Sequence, residues 1–417
     1  MVRLHSLHSV KTSDIALGAC LYCWGLQPMW SWLERIGFVP SFPLTLLLYV
    51  IPVWTLVFFR LGETKLCFPK SIISFFLIFS YILYVIAYNS FSFSLDTTFT
   101  NIGTFLYYLL AFFCGILIGP LDNRKKIICA AWLISSLFWI LFTDFQRLTI
   151  DFSRLNNIED SAIYLSIGDG YVVLSLMTMY VQRKKILSLL VIVLVSIAVL
   201  YFVNSRSSLF LYLFSVFLFL KNQSIKLMIT LGLMVLVCGV YILTFIDIDV
   251  LLDSRVLRLV LNTENDTSLI AREQILAKEI NHLWKNWFIG DYSGYESRGG
   301  PGTYIHNYLS FWAQYGLIPF CLLCLYLLKE ILFLLKKNVS NRLPNGVFVK
   351  VLFVYTVLGC FISKGYVYST IWLSIGLVYS YHNCFINEKN DFSYSDENRS
   401  ESGFCQSDSS DEDDRGF

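Results

Sequence analysis

Charge is what this sequence most lacks. Of its 417 residues, 15% are Asp, Glu, Lys or Arg, against about 25% in an ordinary soluble domain. The deficit excludes a separate soluble domain of useful size. Neither sign dominates: 32 basic and 30 acidic side chains leave a formal net charge of +2, and nucleic acid is not an expected partner. Several motifs are also missing. There is no Walker loop, no Asp-x-Asp metal-nucleotide motif and no His-Glu-x-x-His, which argues against a nucleotide-sugar donor and against zinc chemistry. No metal and no cofactor is expected, and no internal repeat is visible.

Apolar residues fill the space that charge leaves. Hydrophobic residues make up 56% of the chain, and aromatics reach 17% with 35 Phe and 25 Tyr; mean hydropathy is +0.60. A bilayer core needs roughly 20 apolar residues per helix. Runs of that kind lie near 14–33, 42–60, 71–91, 99–120, 127–143, 161–181, 186–204, 207–220, 226–246, 305–328, 347–363 and 366–386. The expected fold is therefore all-α: a polytopic integral membrane protein of about 12 transmembrane helices, occupying residues 1–387.

The positive-inside rule supports that number of spans. With the N-terminus in the cytoplasm, Arg60, Lys65, Lys70, Arg124, Lys125, Lys126, Arg183, Lys184, Lys185, Lys221, Lys226, Lys329, Lys336, Lys337 and Arg342 all fall on the cytoplasmic side. The alternate loops hold few basic residues, Arg35 and Lys364 among them. Segment 144–160 and the long loop 247–304 then lie outside, with Arg147, Asp151, Arg154 and Asp160 placed to line an entrance. Residues 388–417, acidic and of low complexity, are expected to be a disordered cytoplasmic tail. Cys20-x-x-Cys23 and Cys321-x-x-Cys324 have metal-like spacing, but both sit in apolar runs without His or Asp partners; they are expected to be small buried side chains.

The long loop carries a helical pattern. Leu269, Ile270, Ile275, Leu276, Ile280, Leu283, Trp284, Trp287 and Phe288 recur at helix-like spacing among charged residues, which describes an amphipathic helix at the membrane surface with an aromatic anchor at its end. A polar, Gly-rich stretch follows, from Gly290 to Gly302, and leads to His306 at the expected start of the tenth span. Arg272 on the helix, Arg206 at the outer end of the eighth span and His306 all reach the outer face from separate parts of the chain. Taken singly, each has an ordinary explanation: Arg206 as a snorkelling side chain, Arg272 as a charge on a solvated face, His306 as a cap. Together on one face they point to a site. An arginine pair suits phosphate, and an imidazole suits proton transfer near neutral pH.

Further candidates surround these three. Asp169, between Gly168 and Gly170, is an intramembrane carboxylate, which is functional by default; it reads equally as a substrate contact and as the partner of a buried arginine. Asp291 and Tyr292 follow the amphipathic helix and can reach a sugar. Tyr304 and Tyr308 flank the histidine, where aromatics can stack on sugar rings, and Asn307 can orient the imidazole or bind a hydroxyl.

Ser205-Arg206 opening a helix, Arg272 followed four residues later by Leu276, and His306-Asn307 with Gly316 downstream resemble, in order and sidedness, motifs of the O-antigen polymerase and O-antigen ligase families. The likeness is detailed over roughly residues 200 to 330. Gly290-Asp291-Tyr292 and Tyr304 to Ser310 look closer to the polymerases. The resemblance implies a GT-C-like glycosyltransferase in the bacterial inner membrane with a periplasmic active site, His306, Arg272 and Arg206 being catalytic. It also implies an undecaprenyl-pyrophosphate-linked oligosaccharide as substrate, contact with membrane lipids, and a chain-length regulator protein as a conceivable further partner. The alternatives are a ligase acting on lipid A-core and, from a different class, a glycolipid transporter or flippase, whose functional charges would spread along a central pathway.

Overall fold

A computed structural model describes residues 13–39, 70–90, 95–150, 163–221, 229–230, 232–233, 237, 267–300, 303–335 and 345–382. The expected spans 42–60 and 226–246 lie largely or wholly outside these residues. The first part of the long loop, Arg154, Asp151 and Asp160, and the acidic tail also lie outside them.

The described chain is all-α apart from one short hairpin. Helix α1 runs over 13–35, with a π-helical stretch at Tyr22–Leu26 before its last segment, Gln27–Arg35. Then come α2 (Lys70–Ser90), α3 (Leu95–Leu117) and α4 (Lys125–Leu141). Strands β1 (Thr143–Asp144) and β2 (Thr149–Ile150) pair antiparallel, with Thr143 opposite Ile150. Helices α5 (Ile163–Gln182), α6 (Ile186–Phe202) and α7 (Arg206–Lys221) follow, the last two separated by Asn204 at positive φ. The amphipathic segment forms α8 (Thr267–Lys285). Short α9 (Gly294–Gly299) and α10 (Leu309–Tyr315) lead into α11 (Leu317–Leu335) and α12 (Gly346–Ile362), and the last described helix, α13, covers 370–382.

Among the described residues, three helices are long and apolar enough to cross a membrane: Thr98–Leu117, Tyr164–Gln182 and Leu317–Leu335. Their burial orders them from centre to edge. The α5 span is 83% buried and the α3 span 50%, whereas α11 is 28% buried. Leu325, Leu328 and Leu332 accordingly project from α11 as exposed aliphatics. Around α5 the helices are tied by small polar groups. Trp132 donates to Ser196, Ser196 to Ser175, and the Tyr171 and Ser136 hydroxyls meet at 2.7 Å. Such bonds compete with no water in an apolar interior, so each holds its helix pair in register.

The loops gather at two ends. At one, Asn345 accepts from the Leu121 amide and donates to the Gly119 carbonyl, while its own amide donates to Tyr180. Arg183 forks onto Asp122 at 2.7 and 2.8 Å, and Arg124 pairs with Asp14. At the other end, Ser205, Tyr304 and the 363–370 link come together.

Two expectations need correction. The run 305–328 is not one helix beginning at His306. Residues 303–308 are non-helical, and the helix breaks at Gly316, whose φ is +84°. An added Cβ at Gly316 would strike the Phe288 carbonyl, and the Leu317 amide donates to the Trp287 carbonyl at 3.0 Å. The end of the amphipathic segment thus docks where the continuous helix would have run, a backbone approach that only glycine permits. The second correction concerns Cys321, which is exposed on α11 while Cys20 and Cys23 are buried; α11 has an exposed apolar side, and Cys321 is exposed with Leu325, Leu328 and Leu332 on that helix.

Candidate functional site

Asp169 is held where α5 is crossed closely from both sides. An added Cβ at Gly168 would lie 2.6 Å from the Ser205 Oγ, and one at Gly170 would run into the Trp24 carbonyl. The Gly-Asp-Gly sequence therefore threads α5 between the start of α7 and the π-helical part of α1. This settles what the flanking glycines admit: neighbouring helices.

The carboxylate is fully engaged. Its Oδ1 accepts from the Ser208 hydroxyl at 2.7 Å and the Tyr355 hydroxyl at 2.8 Å, and its Oδ2 takes the Lys364 ammonium at 2.8 Å. Lys364 is 4% exposed and Asp169 7%. The buried cation that Asp169 compensates is thus a lysine from the α12–α13 link. Lys364 follows the end of α12 directly, with its amide donating to the Gly359 carbonyl, a place where a positive charge is favoured by the helix dipole.

This ion pair forms part of the wall of a cavity of about 310 Å³ between α1, α3, α5, the 303–306 segment and the 363–370 link. Polar groups on the wall include Gln27, Asp169, His306, Ser363 and Lys364; Trp24, Tyr107 and Tyr304 add aromatic surface. Trp24 is fixed by a 3.0 Å bond from its Nε1 to Thr370 and by stacking on Tyr107. The mixture of flat apolar faces and a few placed polar groups is that of a small-molecule site.

Tyr304 joins the elements of the site. Its ring lies 4.6 Å from His306, 5.4 Å from Tyr295 and 5.4 Å from Tyr366. Its phenol is raised to about 12, chiefly by burial; Arg272 opposes the rise, and Tyr164 and Asp169 add to it. Arg272 therefore acts electrostatically on the same side chain that touches His306. Beneath lies an aromatic bed: the Tyr295 and Tyr366 hydroxyls meet at 2.8 Å, and Tyr108 donates to the Tyr366 carbonyl.

Of the expected site residues, His306, Tyr304 and Asp169 line the cavity, and Arg272 sits within electrostatic reach of Tyr304. Arg206 opens α7 next to Ser205, which donates to Ser208 and so adjoins the Asp169 network; it is not on the cavity wall. The others are placed differently. Asn307 closes a local turn just before α10, its Oδ1 accepting the Leu309 amide at 2.9 Å. Tyr308 turns to Phe320 and Phe361 and lines a separate apolar recess of about 110 Å³. Asp291 is paired with Arg298 at 2.5 Å. Tyr292, 1% exposed, is packed on Tyr315 and Tyr366 rather than on the cavity; its burial raises its phenol well above the usual range. Arg147 is exposed beside Asp144 on the hairpin.

The sequence reading passed over two groups. One is Lys364 with Ser363, whose signal was available: a lone cation between two apolar runs. The other is Arg298, which bonds Glu279 through Nε at 3.2 Å and through a terminal nitrogen at 2.6 Å while holding Asp291. These contacts raise its pKa against the opposing effect of burial and tie α8 to the segment leading to His306. Among the described residues no cluster of metal-ligating side chains occurs. No family model, curated protein or solved structure matches this chain.

Proposed function

We propose that this chain is a membrane-embedded glycosyltransferase of the O-antigen polymerase kind, spanning the bilayer about twelve times with this cavity at the periplasmic face of the inner membrane. The observation that carries the reading is the meeting of His306, Tyr304 and the electrostatic reach of Arg272 at one polar cavity, in a molecule whose outer helices present bare aliphatic side chains. The donor is a glycan linked to undecaprenyl pyrophosphate. An acceptor sugar hydroxyl on the next lipid-linked unit attacks the anomeric carbon, and the bond from that carbon to the pyrophosphate oxygen breaks. His306 takes the hydroxyl proton. The electron pair leaves with the pyrophosphate, whose growing charge Arg272 stabilises. Arg206, on the start of α7, serves the lipid-linked phosphate before it enters. No metal is required by this scheme.

The test is the lipopolysaccharide ladder of a deletion strain complemented with wild type, His306→Ala or Arg272→Ala at matched membrane levels. Core capped by a single repeat in both variants supports the polymerase. Bare core with accumulating lipid-linked polymer indicates a ligase acting on lipid A-core. Repeat units trapped on the cytoplasmic leaflet indicate a flippase. A full ladder from both variants removes these residues from the chemistry.

A further inference from the structure

Positive charge collects at the end of the bundle opposite the cavity, and much of it is unpaired. Lys125 and Lys126 open α4, and Lys184 and Lys185 link α5 to α6. Lys126, Lys184 and Lys185 are exposed. Two carboxylates there are taken by arginines: Asp14 pairs with Arg124, and Asp122 holds Arg183 at 2.7 and 2.8 Å. The Arg183 bond keeps the Asp122 carboxyl below its usual value against the effect of burial, and the charges of Arg183, Lys184 and Lys125 add to that. The two lysine pairs thus come together around a carboxylate that is already engaged. Among the described residues none of the four lysines has a carboxylate within 4 Å. At the same end Lys221, closing α7, and Lys350, on α12, repel each other. Like charges gathered in this way are unfavourable until an anion joins them, and at the start of α4 the helix dipole adds to the cost.

The chain carries such an anion. Residues 383–417 hold ten acidic side chains against three basic ones, and five of the ten fall between 408 and 414. The net charge of +2 therefore conceals an acidic end segment and a basic remainder. The segment also starts at the right end. Helix α13 ends at His382, whose ring stacks on Phe333 at 4.3 Å and whose Nδ1 lies 3.5 Å from the Glu330 carboxylate on α11. From there α11 runs towards the start of α12, where Asn345 bonds the Leu121 amide and the Tyr180 hydroxyl, next to Asp122 and Arg183. A polar coil of about 26 residues, the separation of His382 and Asp408, spans about 30 Å. Neighbouring helices lie about 10 Å apart, so that span crosses the end of the bundle.

We infer that the acidic segment 388–417 docks on the basic face formed by Lys125, Lys126, Lys184 and Lys185 and covers these lysines against other anions. Anionic lipid headgroups offer the same charge. The tether favours the segment, because it holds the carboxylates at an effective concentration of about millimolar whatever the lipid. The contact is one of charge and weakens with salt. It is independent of the chemistry at the other end of the molecule.

Acetylation rates of individual lysines, read by mass spectrometry on the full chain in phosphatidylcholine nanodiscs, test this. The comparison is with a full chain carrying Asp408→Asn, Asp411→Asn, Glu412→Gln, Asp413→Asn and Asp414→Asn, changes that lie outside the helical bundle. Lys184 and Lys185 are expected to react about threefold faster in that variant, the effect of losing an exposed ion pair. Lys285, exposed on α8 at the other end, is expected to react equally in both. At about 1 M salt, where screening acts within about 3 Å, the difference is expected to vanish. Equal rates for Lys184 and Lys185 in the two chains would overturn the docking, as would an equal change at Lys285. Equal rates in phosphatidylcholine, with both chains protected alike once phosphatidylglycerol is added, would assign the lysines to lipid headgroups instead.

Discussion

Removing one member of the Asp169–Lys364 pair strands the other in a site with almost no water contact. Breaking a buried pair in this way costs about 3–5 kcal/mol. Asp169→Asn and Lys364→Met are each expected to lower the melting temperature in detergent sharply, and the double variant to recover much of the loss because no lone charge remains. Melting temperatures equal to wild type in all three variants would show that the pair contributes nothing. Tyr304 makes a second expectation, at alkaline pH. Its phenol titrates near 12 in the fold, against about 10 in an unfolded chain. The folded state thus keeps a proton that the unfolded state loses, and stability from this group, intact below pH 10, falls as pH rises from about 10 to about 12. Wild type is expected to lose melting temperature relative to Tyr304→Phe between pH 9 and pH 11. Parallel curves would show that this phenol is not shifted.

At the scale of elements, two close approaches decide where helices lie. An added Cβ at Gly170 meets the Trp24 carbonyl, whereas one at Gly18 meets nothing within 4 Å. Gly170→Val is expected to force α1 and α5 apart at a cost of about 1–3 kcal/mol or more, visible as broadened elution of the purified protein. Gly18→Ala, in the same α1, is expected to elute as wild type. The position of α8 depends on Arg298, which bridges buried Glu279 and Asp291. In Arg298→Ala both carboxylates lose that partner, and hydrogen exchange over 267–285 is expected to rise by an order of magnitude or more. Arg298→Lys is expected to restore protection only in part, since an ammonium cannot reproduce the two-sided fork. Unchanged exchange in both would place the anchor of α8 elsewhere. These elements were legible to different degrees. The division between α6 and α7 followed from one polar break, Asn204-Ser205-Arg206-Ser207-Ser208, between apolar runs, although α7 already begins inside it, at Arg206. The break at Gly316 did not, because hydropathy is continuous across it and only the docking of Phe288 requires it.

For the molecule as a whole, the burial of the three long apolar helices sets an inside and an outside. Leu325 on α11 is 64% exposed, whereas Phe353 on α12 is fully buried. If the bare face of α11 meets acyl chains, fluorescence added by Leu325→Trp is expected to be quenched by brominated lipids, and that added by Phe353→Trp to be spared. Quenching of neither would take α11 off the lipid boundary. At this scale the candidate site was half legible. His306, Arg272 and Asp169 stood out as polar residues in or beside apolar segments. Tyr355 did not, since a tyrosine within an apolar helix differs little from its neighbours until its hydroxyl is seen on Asp169. Asp291 and Asn307 had the polarity of ligand contacts, but folding uses them locally, one for Arg298 and one in the turn before α10.

What the sequence determined by itself was the helical class, the bounds of most of its long helices and the set of charges that had to be accounted for. These follow from apolar runs whose length and spacing are local properties of the chain. Only the tertiary structure decided which charges meet. Tyr355 reaches Asp169 across 186 positions, and Trp24 reaches Thr370 across 346. Contacts at that separation depend on how the helices pack, and no local pattern encodes them. The same packing turned Lys364 from a lone loop cation into the partner of Asp169, and put His306 and Tyr304 on the wall of the cavity that this pair helps to form.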